Sequence, residues 1–127
     1  MTSAQNHNQS RVVHCTTERE YWEAIESAGS NLVVVDCFAE WCPPCRQIAP
    51  FFDALSLEHP EVVFVKVDVD KVPGIGRILG VWAMPSFFFL KDGETVGSFT
   101  GAREGLLRQG IANGGRVGGV CSSCAVQ

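Results

Sequence analysis

The chain has 127 residues, 46% of them hydrophobic and 19% charged, with a formal net charge of −4. That balance fits one globular domain burying roughly 65–70% of its unfolded surface, enough to fold without metals or structural disulfides. It speaks against a nucleic-acid or anionic-membrane surface, since no Lys/Arg cluster is present, and no apolar run is long enough to span a bilayer. The polar opening MTSAQNHNQS lacks the apolar stretch of a secretory signal. A reducing cytoplasm is therefore the expected compartment, with proteins or small molecules as partners.

Residues 1–10 read as a disordered arm, 11–113 as the folded domain and 114–127 as a flexible Gly-rich tail. Val12 and Val13 suggest a short first strand. Thr17-Glu18-Arg19-Glu20 has capping-box spacing, with Thr17 as N-cap and Glu20 reaching back. A helix then presents Tyr21, Ile25 and Ala28 on one face and stops at Gly29-Ser30-Asn31. Residues 32–38 are apolar and β-branched apart from Asp36, as in a central strand covered on both faces. A helix over 43–58 places Ile48, Phe51, Phe52 and Leu55 toward the core, and Pro50 should kink it. Residues 62–67 form a third strand interrupted by Lys66, and 68–80 hold a short helix weakened by Pro73, Gly74 and Gly76. Strands over 87–90 and 95–99 are joined by Lys91-Asp92-Gly93-Glu94, a tight hairpin that makes them antiparallel. A last helix spans 103–112, so the whole is an α/β pattern, βαβαβα followed by ββα.

Chemistry concentrates in Trp41-Cys42-Pro43-Pro44-Cys45, between the end of a buried strand and the start of a helix. Cys42 then lies at a helix N-terminus, where unpaired N–H groups and the helix dipole favour a thiolate, the attacking species. Cys45, one turn further in, can form a disulfide with it and resolve a mixed disulfide. A zinc half-site is the alternative, and no second pair lies at zinc-ribbon spacing.

Residues 33–45, Val-Val-Val-Asp-Cys-Phe-Ala-Glu-Trp-Cys-Pro-Pro-Cys, resemble the active-site region of thioredoxins. Val67-Asp68-Val69-Asp70, Met84-Pro85-Ser86 and the Lys91-Asp92-Gly93 hairpin through Gly101 follow in the family's order. The resemblance implies a thioredoxin fold: a five-stranded mixed sheet of order 1-3-2-4-5 flanked by four helices. It implies a thiol-disulfide oxidoreductase that reduces protein disulfides through Cys42 as nucleophile and Cys45 as resolving thiol. The cofactor is then only the redox-active disulfide, re-reduced by an external reductase, in a monomer.

By the same resemblance Asp36 is a buried base that takes the Cys45 proton through water. Alternatively it is a carboxylate paired with Lys66, and both can hold. Pro85 implies a cis Met84-Pro85 bond, which exposes the Met84 backbone to an extended substrate segment. Trp41 covers the cysteines, and Pro43, Pro44 and Gly101 complete the substrate-binding surface. Pro44 stands where glycine is usual in thioredoxins; the Trp-Cys-Pro-Pro-Cys form is similar to that of tryparedoxins and nucleoredoxins, which leaves the class of reductant open. Trp82 lies just before Met84-Pro85, where it either docks partners or belongs to the core.

Cys121-Ser122-Ser123-Cys124 falls outside the resemblance. The pair is either chemically idle or a second redox dithiol, with a four-thiolate zinc site joining both pairs as a further alternative. Cys37 and Cys15 read as buried structural thiols, and His7, His14 and His59 as surface residues. Two competing functions remain: a redox-silent module that binds partners in the same groove, and a zinc-binding domain.

Overall fold

The apolar run Val33–Phe38 forms strand β2, and its first five residues are buried because helices cover both of its faces. The structure is a computed structural model that describes residues 10–117. The Cys121/Cys124 pair lies outside the described residues. In chain order the other elements are β1 (Val13–Cys15), α1 (Glu18–Ala28), α2 (Pro43–Glu58), β3 (Val63–Asp68), α3 (Pro73–Leu79), β4 (Ser86–Lys91), β5 (Glu94–Thr100) and α4 (Glu104–Ala112), with β2 between α1 and α2. The sheet runs β1-β3-β2-β4-β5. β1, β3 and β2 are mutually parallel, and β4 is antiparallel to both β2 and β5. This is the expected thioredoxin fold.

Local signals account for most element ends. The Thr17 hydroxyl accepts from the Glu20 N–H at 3.1 Å, starting α1 where the capping spacing places it. The return arm differs from the expected box: the Glu20 carboxylate accepts from the Thr16 N–H at 2.7 Å, one residue before the cap. Asp92 and Gly93 have φ of 53° and 82°, the paired positive values of a two-residue turn whose twist matches its flanking strands. β1 begins one residue later than expected and continues to Cys15, and α2 runs through Pro50 as one helix.

The period-2 alternation of the strands sorts the core onto two faces. Val33, Val35, Cys37, Val65 and Val67 meet Tyr21 of α1 and Ile75 of α3. Val34, Phe64, Phe87 and Phe89 meet Ile48, Phe52 and Leu55 of α2 and Leu107 of α4. The approach of α4 depends on Gly110, because a Cβ there would overlap the Phe89 ring. Gly110→Ala is therefore expected to destabilise the fold. Overpacking costs about 1–3 kcal/mol, against at most about 1 kcal/mol gained in helix propensity. A lower urea midpoint with unchanged slope is the corresponding measurement.

Candidate active site

After β2 the chain turns through Ala39, Glu40 and Trp41, and Cys42 caps α2 in an extended conformation, φ −92° and ψ 111°. Pro43 and Pro44 take the first two helical positions, where a missing N–H breaks no helical hydrogen bond. An N-cap side chain ordinarily accepts from the second or third N–H of its helix. Pro44 has none, so the Cys45 N–H donates to Cys42 Sγ, at 3.3 Å. A disulfide joins Cys42 to Cys45, with Cα atoms 5.3 Å apart. Both cysteines are buried beside Ala39, with Phe38 and Met84 packed against them.

The second wall comes from the loop before β4. The Met84-Pro85 bond is cis, and the Met84 carbonyl oxygen lies 3.7 Å from Cys42 Sγ. The Gly101 N–H donates to the Pro85 carbonyl at 2.8 Å, which fastens the end of β5 to this loop. The fold thus gathers Cys42, Met84, Pro85 and Gly101 from β2, β4 and β5 surroundings at one end of the sheet. Pro43 and Pro44 are exposed on its rim. Trp41 is 64% exposed beside them, its Nε1 donating to Asp70 Oδ2 at 2.8 Å. Trp82 is 82% exposed, so the alternative of a core residue is excluded.

Asp36 is fully buried on β2, and neither carboxylate oxygen has a hydrogen-bond partner among the described residues. Burial raises its pKa to about 7; Lys66 opposes the rise, and Asp53 of α2 adds to it. Strand register sets Lys66 directly beside Asp36, yet the ion pair allowed for in the sequence does not form. The Lys66 ammonium instead lies 4.4 Å from the centroid of the Phe38 ring. Phe38 sits two residues beyond Asp36 on the same face of β2, where a cation–π seat leaves the ammonium nearer to water. Lys66 still shares a cleft of about 190 Å³ with Cys45, Phe38 and Arg46.

The two remaining described cysteines, Cys15 and Cys37, are buried free thiols, and burial raises the pKa of both, that of Cys15 to about 11. Of the histidines, His14 is exposed and His59 half-buried, its Nδ1 lying 3.4 Å from a Glu61 carboxylate oxygen. Among the described residues no group of three His, Cys, Asp or Glu is placed to hold a metal ion, and no helix is long and apolar enough to cross a membrane. Sequence reading gave no role to Asp70 or Arg77. Asp70 stands 29 residues from Trp41, so only the fold reveals that contact.

The family model described as Thioredoxin matches residues 12–113. Thioredoxin of Oryctolagus cuniculus is 47% identical over 100 residues, covering 79% of this chain and 95% of the relative. Thioredoxin of Homo sapiens is 44% identical over 100 residues, with the same coverage. Among solved structures, Fasciola hepatica thioredoxin superposes with a TM-score of 0.77 at 44% identity, covering 80% of this chain and 97% of that one. A thioredoxin h of Nicotiana alata gives 0.80 at 35% identity, covering 84% and 94%. With its five-stranded sheet and a disulfide where β2 meets α2, the chain belongs to the thioredoxin family and is a thiol-disulfide oxidoreductase whose redox pair is Cys42–Cys45.

Proposed function

We propose that the protein works in the cytoplasm as a monomeric electron carrier, passing two electrons from an external dithiol reductase to disulfides of partner proteins. The observation that carries this reading is the surroundings of one sulfur: Cys42 Sγ accepts the Cys45 N–H at the head of α2 and faces the Met84 carbonyl. In the reduced chain that N–H favours the thiolate, and the carbonyl and cis-proline loop offer a backbone edge to an extended segment. Buried free thiols at Cys15 and Cys37 fit a reducing compartment.

Turnover then has two exchanges. The Cys42 thiolate attacks one sulfur of a partner disulfide, giving a mixed disulfide and releasing the other sulfur as a thiolate. Asp36 receives the Cys45 proton through water, and the Cys45 thiolate attacks Cys42 Sγ. The Cys42–Cys45 disulfide forms, and the partner leaves fully reduced. Lys66 acts on Asp36 through space, while Trp41, Pro43, Pro44, Pro85 and Gly101 border the docking segment. A thioredoxin-reductase-like enzyme or another dithiol returns the electrons.

The decisive experiment is Cys45→Ser mixed with oxidised insulin. Without the resolving thiol the first exchange is expected to accumulate as a covalent, dithiothreitol-sensitive adduct through Cys42, seen by mass spectrometry. No adduct from a variant whose wild-type parent reduces insulin would refute the assignment of the two sulfurs.

A further inference from the structure

Three tryptophans stand at the surface, and two have local partners. Trp22 packs edge-on to Tyr21 at 5.0 Å between ring centroids, and Trp41 is hydrogen-bonded to Asp70. Trp82 differs. It is the most exposed large apolar side chain of the described residues, at 82%, and among them it makes neither a hydrogen bond nor an aromatic contact. Exposed indoles of this kind concentrate at interfaces and supply their binding hot spots.

Trp82 also walls a cavity. The space is about 260 Å³ and is lined by Val69, Pro73, Arg77, Val81, Trp82 and Met84. Drug- and cofactor-sized ligands occupy about 300–1,000 Å³, so this cavity suits one or two side chains of a larger partner. Among the described residues that line it, Arg77 in the last turn of α3 is the one that carries a charge, and the others are apolar or glycine. Met84 joins it to the reacting centre, because the Met84 carbonyl is the group 3.7 Å from Cys42 Sγ.

We propose that Trp82 and Arg77 form a side-chain subsite that selects partner segments carrying an apolar residue close to the reacting cysteine and a carboxylate two residues beyond it. The inference rests on the disulfide-reductase reading above and adds a substrate preference to it. A segment lying along the Met84 backbone presents alternate side chains to the same side. An apolar side chain near the cysteine then enters between Val69, Val81 and the indole, and an acidic side chain two residues further on meets the guanidinium. Trp82 and Arg77 act on docking alone and move no proton or electron.

The test uses the full chain with a reductase, a pair of disulfide peptides and one small disulfide. The peptides differ only at the first and third residues after the cysteine, Leu and Glu in one (the Leu-Glu peptide) and Ser at both in the other (the Ser-Ser peptide). The small disulfide is bis(2-hydroxyethyl) disulfide, which carries neither an apolar side chain nor a carboxylate. Trp82→Ala is expected to lower kcat/KM for the Leu-Glu peptide about 10- to 100-fold through KM, a hot-spot loss. It should leave the Ser-Ser peptide and the small disulfide within about twofold, and Trp82→Phe should restore most of the loss. Arg77→Ala should lower kcat/KM for the Leu-Glu peptide and leave the other two substrates within about twofold. Equal losses on all three substrates would mean a structural role and overturn the proposal, as would no loss on any. Failure of wild type to reduce any of them in a Cys42-dependent way would overturn the function itself.

Discussion

Cys42→Ser is expected to lose insulin reduction entirely while keeping its fold. A serine hydroxyl is not ionised at neutral pH, and an oxygen cannot form the disulfide through which electrons leave. Cys45 does not substitute, because it lies inside the first turn of α2 rather than at its N-cap, and the Met84 backbone edge that receives a partner segment faces Cys42 Sγ. The fold should survive for a local reason: serine is among the best N-cap residues, and its oxygen can accept the Cys45 N–H that Cys42 Sγ accepts now. Reduced wild type and variant should therefore melt within about 1 kcal/mol of each other. Insulin turbidity beside circular dichroism melts measures both halves, and persistent turnover by the variant would remove Cys42 from the mechanism.

The second large effect is thermodynamic. Asp36 has a pKa of about 7 in the fold against 3.8 in a solvated chain, raised chiefly by burial. The folded state thus holds this proton more tightly than the unfolded state. The stabilisation from that proton is complete below pH ~4 and is lost as pH rises through about 7, where the fold must keep an ionised carboxylate without a hydrogen-bond partner. At about 1.4 kcal/mol per pH unit the loss amounts to about 4 kcal/mol. Asparagine has nearly the same shape and cannot ionise. Asp36→Asn should therefore gain about 4 kcal/mol relative to wild type on going from pH 4 to pH 8, whatever its offset at pH 4. Urea titrations at the two values give this directly, and parallel pH dependence of the two proteins would contradict it. The same variant loses its proton acceptor for Cys45, so turnover at neutral pH should fall by roughly the 10²–10⁴ that a general base contributes.

The element pattern was legible because its signals are local. Thr17 caps α1 by a bond spanning three residues, and Asp92-Gly93 turns the hairpin through backbone angles that those residue types tolerate. Strand order was not readable from periodicity, which says which face of a strand is buried and nothing about its neighbours; the family resemblance supplied it. The Cys42–Cys45 pair was plain from spacing and context. The destination of Lys66 was not: a long flexible side chain beside Asp36 had two seats within reach, and the Phe38 ring prevailed. Trp82 was visible as an oddity, but its exposure and the cavity behind it exist only once α3 and the loop before β4 are packed together.

Cys37 stands only five positions before Cys42, close enough in the chain to threaten a wrong bridge. Alternation along β2 turns its sulfur to the face shared with Cys15 and Tyr21, whereas the reacting pair packs with Ala39 at the strand's end. The sheet thus acts as an insulator between the two described thiol populations. Among the described residues, electrons entering at the exchange centre therefore meet no other sulfur on their own side of the strand.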